Sequence, residues 1–179
     1  MTQYRFPDWK GEEYNSRKRH EEKYGSIKPY LGQHSIGAEI GVNKGGFGEL
    51  LLPHCQVLFL VDPWCSPARQ AERDEEARSV ADVYKNDSNV IIARERSDQF
   101  MPKLSDNSID FFYLDGCHRY ETVIMDLNTG YQKLKRGGYI TGDDWAWESI
   151  RRALADFSES SGIEHTRLPS DQWMVHKPT

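Results

Sequence analysis

The sequence predicts an α/β domain: a mostly parallel sheet with helices on both faces and an antiparallel pair of strands at its end. Three observations carry that expectation. Short runs dense in Val, Ile, Leu and Phe, of the kind that form strands buried on both faces, alternate with segments of helical spacing. Ile109–Trp145 reads as a complete strand–helix–strand unit, whose right-handed crossover leaves both strands parallel. Two final short runs flank Pro169-Ser170-Asp171, the composition of a hairpin turn.

Met1–His34 is polar, and Tyr14–Tyr24 (YNSRKRHEEKY) is a mixed charge run. It reads as a solvated helix whose opposite charges are close enough to pair. The sharper alternative, prompted by Tyr4, Phe6, Trp9 and Tyr14, is an N-terminal helical arm or lid. In that reading residues 1–34 cover a site in the domain formed by residues 35–179, or reach a second copy in a homodimer.

Ile36–Ile40 is the first strand and runs into a glycine-rich turn (SIGAEIGVNKGGFG), after which Phe47–Leu52 reads as a helix. Val57–Val61 (VLFLV) is the second strand and ends at Asp62. Ser66-Pro67, an N-cap followed by proline, predicts a helix that runs to about Lys85. Asn89–Ala93 is the third strand, followed by Arg94–Asp98 and a short helix anchored by Phe100 and Leu104.

Ile109–Leu114 is the fourth strand and stops at Asp115-Gly116. Between Arg119 and Lys135, Tyr120, Val123, Ile124, Leu127, Tyr131 and Leu134 form one helix face. Gly137-Gly138 is expected to end that helix, with Tyr139–Thr141 as the fifth strand, running into Asp143-Asp144. Trp147, Ile150, Leu154 and Phe157 mark the last helix, which Ser161-Gly162 stops. Ile163–Leu168 and Gln172–His176 complete the sheet.

The length of 179 residues suits one domain with a real core. A net charge of -5 and a pI of about 5.7 argue against a nucleic-acid partner, which needs a basic face. No apolar run approaches the roughly 20 residues of a membrane helix, and MTQYRFPDWKGEEY holds no signal-peptide stretch. Cys55, Cys65 and Cys117 show no paired spacing, so neither disulfides nor a zinc site is expected and the reducing cytoplasm is the expected compartment.

Two stretches bear chemistry. In the first, Glu39-x-Gly41-x-x-x-Gly45 lacks the GxGxxG spacing of a dinucleotide site, but its glycines let a ligand approach the backbone. Glu39 would repel a pyrophosphate and suits a cationic amino group. Asp62, about twenty residues beyond the turn, stands where a second strand presents a carboxylate to ribose hydroxyls. In the second, Asp115, His118, Asp143 and Asp144 fall at the carboxyl edge of the sheet, where open α/β sheets bind ligands. Simpler roles stand beside these. Asp115 and Asp143 also suit strand-end turns or helix N-caps, Asp144 a cap for the Trp147 helix, and His118 a bond to its own backbone. Trp145 and Trp147 suit core or pocket wall, Trp64 suits an adenine contact or core packing, and nothing marks Cys117 as an activated thiol.

Together these residues resemble a class I S-adenosylmethionine-dependent methyltransferase over roughly Ile36–His176. The resemblance implies a Rossmann-like seven-stranded, mostly parallel sheet with a C-terminal antiparallel hairpin. It implies cofactor contacts from Glu39, Gly41, Asn43, Gly45, Asp62, Ser97 and Asp98, with the last two beside the adenine. LDGCHRYETVIMDL followed by KRGGYITGDDW is similar to the methyltransferase-24 type of O-methyltransferase and, more distantly, to the catechol O-methyltransferase group. That second likeness implies a divalent metal, Mg2+ by its hard oxygen donors, held by Asp115, Asp143 and Asp144, and His118 where the catechol group carries a lysine base. Asp144 replaces that group's asparagine.

The implied activity is methylation of a small hydroxylated acceptor, with Asp115 and His118 as catalytic residues. Coordination would acidify the acceptor hydroxyl and His118 would take its proton. The competing expectations are a non-catalytic module binding S-adenosylmethionine or S-adenosylhomocysteine and a metal-independent N-methyltransferase. A nicotinamide-dependent oxidoreductase is disfavoured by the glycine spacing.

Overall fold

A computed structural model of the chain describes residues 13–179. Tyr4, Phe6 and Trp9 lie outside the described residues, as does the side chain of Tyr14. Seven strands form one sheet: β1 (Ser35–Ile40), β2 (Cys55–Val61), β3 (Val90–Ala93), β4 (Ile109–Leu114), β5 (Leu134–Gly142), β6 (His165–Arg167) and β7 (Trp173–His176). Their order across the sheet is β3-β2-β1-β4-β5-β7-β6. The first five are parallel, while β7 runs antiparallel to both β5 and β6. The helices are α1 (Glu13–Ile27), α2 (Gly48–Leu51), α3 (Gln70–Tyr84), α4 (Ser97–Phe100), α5 (Tyr120–Lys133) and α6 (Glu148–Ser161). The expected α/β architecture is the observed one.

The period-2 geometry of the strands explains why helices cover both faces. On β4, Phe112 and Leu114 point into one core with Val123 and Leu127 of α5 and Leu154 and Phe157 of α6. Phe111 and Tyr113 point the other way, into a core with Ile27 of α1, Leu51 of α2 and Val80 and Tyr84 of α3. Every residue of β4 except Asp110 is buried, as a central strand between two helical layers requires.

Three expectations are corrected. The helix placed at Ser66-Pro67 starts at Gln70. Ser66–Arg69 forms a turn instead, because the Gln70 side chain accepts from the Ser66 N–H and donates to the Trp64 carbonyl. The helix expected to run to Gly137-Gly138 ends at Lys133. Leu134 is fully buried as the first residue of β5, and the added residues are absorbed in a bulge where Gly137 takes a φ of +78° and donates to the Lys177 carbonyl. Trp147, expected on the inner face of the last helix, is 55% exposed at the residue before α6, while Ile150, Leu154 and Phe157 are buried. Gly162 stops α6 in a left-handed conformation, as expected.

One acid on α5 is buried outside the sheet edge. Burial raises the Asp126 carboxyl to about 7, against the pull of the Ser97 hydroxyl, and Asp98 adds to the rise. The unfolded chain releases that proton near pH 4. Folded Asp126 therefore contributes stability that is complete below about pH 4 and lost as the pH climbs through about 7. Asp126→Asn is expected to lessen the fall in urea midpoint between about pH 5 and pH 8. Parallel pH profiles for wild type and variant would contradict this.

Candidate active site

The carboxyl ends of the parallel strands bring the two informative stretches side by side. At the end of β1, Gly41 takes a φ of +94° and donates to the Val61 carbonyl at 2.8 Å. A Cβ there would lie 2.2 Å from the Asp115 carbonyl oxygen, so only glycine lets the first stretch touch the second. Asn43 and Gly45 also take positive φ, and Tyr84 donates to the Gly45 carbonyl at 2.9 Å.

Asp62 braces this turn. One carboxylate oxygen accepts from the Asn43 N–H at 2.9 Å and the other from the Trp64 N–H at 2.7 Å. The Trp64 indole is buried and donates to the Asn43 carbonyl at 2.7 Å, so this residue packs as core beneath the turn. A carboxylate has about four acceptor positions, which leaves Asp62 capacity for a ligand diol. Ser97 and Asp98 open α4 just after β3. Arg96 grips the Asp98 carboxylate at 2.9 and 2.7 Å, and the Ser97 hydroxyl bonds Asp126.

Glu39 lies in β1 at 2% exposure, and its Oε2 has no hydrogen-bond partner among the described residues. Burial pushes its carboxyl well above the usual range, with Asp115 and Asp62 adding to the rise and Lys23 opposing it. An orphan buried acceptor beside a glycine turn fits a ligand bearing an amino group.

On the other half, Asp115 follows β4 and Asp143 follows β5. Asp115 is raised by burial, opposed by Lys23, raised again by Asp144 and lowered by His118. His118 Nε2 lies 3.1 Å from Asp144 Oδ2, and the His118 carbonyl accepts from Ser149 at 2.6 Å. Donor atoms of Asp115, His118 and Asp144 all lie within 4.8 Å of one another, and those of Asp143, Asp144 and Asp171 form a second group. The two carboxylates at that spacing fit a divalent ion, with the imidazole beside them.

Of the expected trio, Asp115 and Asp144 fall in the first group, and Asp143 falls with Asp144 in the second. Both oxygens of Asp143 are bonded: one to the Lys23 ammonium of α1, the other to Gln172 just before β7. Lys23 Nζ also lies 3.5 Å from Asp115. Tyr113 donates to Gln172 at 3.0 Å, so a buried chain Tyr113–Gln172–Asp143–Lys23 runs out to the half-buried Asp115. The sequence reading missed Lys23 and Gln172. The available signal was the spacing of His20, Lys23, Tyr24 and Ile27, which share one face of α1.

That face sits on the site. His20 packs edge-on against Phe47 with ring centroids 5.9 Å apart, and burial, Lys23 and Arg19 lower its pKa to about 4. Tyr24 and His54 are 2.7 Å apart, and Ile27 is fully buried. Cys117 is exposed, and all three cysteines are free. No helix of the described residues is long and apolar enough to cross a membrane.

The family described as "Methyltransferase domain", of the methyltransferase-24 type, matches residues 38–145, more than half of the chain. The chain belongs to that methyltransferase family. The match covers Glu39, the glycine turn, Asp62 and the whole acid cluster. Uncharacterized protein R132 of Acanthamoeba polyphaga mimivirus is 31% identical over 111 residues, 60% of this chain and 50% of that protein. This methyltransferase chain therefore aligns with about half the length of that curated relative.

Among solved structures, the fold is similar to N-methyltransferase NodS from Bradyrhizobium japonicum WM9 in complex with S-adenosyl-L-homocysteine. The TM-score is 0.63 at 20% identity, covering 91% of this chain and 87% of that one. It is also similar to the O-methyltransferase NovP, with a TM-score of 0.63 at 15% identity over 93% and 79% of the two chains. At these identities the likeness is one of fold.

The contact between Gly41 and Asp115 tests the local geometry. Gly41→Ala is expected to destabilise the domain by about 1–3 kcal/mol from backbone strain alone, read as a lower urea midpoint. An unchanged midpoint would contradict the close approach.

Proposed function

We propose that this chain transfers a methyl group from S-adenosylmethionine to a hydroxyl of a small acceptor, at a site assisted by a divalent ion. The observation that carries this is one juxtaposition. The orphan Glu39 carboxylate and the Asp62-braced glycine turn share a sheet edge with the Asp115–His118–Asp144 group. Family membership, and a fold shared with both an N- and an O-methyltransferase, support the first half of the reading. The hydroxyl and the ion rest on the acid cluster.

The roles follow from what each group offers. Glu39 accepts from the amino group of the cofactor's amino-acid end, Asp62 from the ribose hydroxyls, and Ser97 and Asp98 flank the adenine. Bound S-adenosylmethionine supplies a methyl already activated on a sulfonium, so the chain's tasks are to orient the acceptor, exclude water and take one proton. His118 takes that proton from the hydroxyl, and Asp144 at 3.1 Å orients the ring and stabilises its charged form. Asp115 and Asp144 would hold a divalent ion, which would acidify a bound hydroxyl; magnesium needs only one or two carboxylates beside waters. A net charge of -5 fits a small acceptor better than a nucleic acid.

Calorimetry with S-adenosylhomocysteine tests the donor half. Wild type is expected to bind, and Asp62→Ala to weaken binding by at least about tenfold, the scale of lost hydrogen bonds to a charged group. Equal affinity in both would contradict the donor assignment. Turnover with a mixture of catechols, sugars, polyketides and amines, with and without EDTA, tests the acceptor half. Methylated hydroxyl products that disappear with EDTA are expected. Products methylated only on nitrogen would overturn the O-transfer, and turnover untouched by EDTA would overturn the ion.

A further inference from the structure

We propose that Lys23 is a resident cation of the acceptor site, positioned by α1 to occupy Asp143 and so to set how tightly the acid cluster holds a divalent ion. The proposal rests on the reading of Asp115 and Asp144 as an ion site and adds a residue to it. Its basis is the geometry of the ammonium. Lys23 is 6% exposed, touches Asp143 and stands 3.5 Å from Asp115, although it lies 120 residues from Asp143 in the chain. Lysine is seldom buried unless it is paired. Here the pairing uses two carboxylates on neighbouring strands.

The helix that carries Lys23 is seated against the site. On the same face of α1, Ile27 is fully buried and His20 packs on Phe47, with its imidazole 3.1 Å from where a Gly46 side chain would begin. Gln172, fully buried, holds the other oxygen of Asp143. Asp143 is thus committed to Lys23 and Gln172, although one of its oxygens lies within 4.8 Å of donor atoms of Asp144 and Asp171. Arg19 lies 3.9 Å from Asp143 but is 64% exposed, so solvent screens it.

The formal charges point the same way. Asp115, Asp143 and Asp144 are three acids beside one buried ammonium, so acidic groups remain in excess there. With Lys23 replaced by a neutral side chain, Asp143 would be a buried carboxylate without its counter-ion, and a metal ion would be the nearest replacement. Lys23 acts through Asp143 and Asp115, so it is a positioning residue.

Mn2+ binding by calorimetry is the direct test, because it reads the acid cluster without any methyl transfer. Lys23→Met is expected to bind Mn2+ at least about tenfold more tightly than wild type, since a nearby positive charge is lost and a carboxylate is freed. The gain is expected to vanish in Lys23→Met/Asp143→Asn. Lys23→Gln, which keeps a donor to Asp143 but no charge, is expected to move in the same direction and carries the test if the Met variant does not fold.

Unchanged or weaker Mn2+ binding in the folded variants overturns the proposal, as does failure of both single variants to fold with Mn2+ present. Binding by Lys23→Met where wild type binds no Mn2+ supports the role of Lys23 while sinking the wild-type ion. S-adenosylhomocysteine affinity of the wild type, measured separately, reads the donor half, where Glu39 and Asp62 lie. Loss of that affinity in wild type would strike the donor assignment and leave the Mn2+ comparison intact.

Discussion

Negative charge crowded at the carboxyl edge of one buried sheet is the constraint on which the rest of the structure turns. Neighbouring strands lie about 4.8 Å apart, so acids at the ends of β1, β4 and β5 must meet. Glu39 responds with a carboxyl raised by burial, Asp115 and Asp62, and Asp115 with one raised by burial and Asp144. Asp143 responds by capturing Lys23 and Gln172. The helix that delivers Lys23 is thereby part of the site, and His20 against Phe47 and Ile27 in the second core hold it there.

The edge divides into two halves joined at one backbone contact. Gly41 lies against the Asp115 carbonyl, with the glycine turn and Asp62 on one side and the Asp115–His118–Asp144 group on the other. Asp62 spends one acceptor position of each oxygen on holding the turn, which ties the shape of the donor half to the residue assigned to the ribose. The same fold serves both N- and O-methyltransferases. The acceptor is therefore argued from the chemistry of the second half, where two acids and an imidazole suit a hydroxyl.

The sheet was legible because strands buried on both faces leave dense apolar runs, and the order of those runs dictates the crossovers. The glycine turn, Asp62 and the four polar residues after β4 and β5 were legible for the same reason: strand ends mark the ligand edge. Helix boundaries read less well. The helix expected from Ser66 began at Gln70, whose side chain ties back to Ser66, and Leu134 began a strand because burial outweighed its helical spacing. Lys23 was hidden deepest. A charge run looks solvated from its composition, and only the tertiary contact across 120 residues shows that one of its cations is buried. Gln172 was masked in the same way, as a polar residue beside a hairpin turn.

A crystal structure of the chain with S-adenosylhomocysteine and magnesium addresses the central claim, that the two halves of this edge are donor side and acceptor side. The ribose is expected at Asp62, the amino group at Glu39, the sulfur facing His118, and the ion on Asp115 and Asp144. A product molecule bound away from the glycine turn, or lying across the Asp115–His118–Asp144 group, would contradict it.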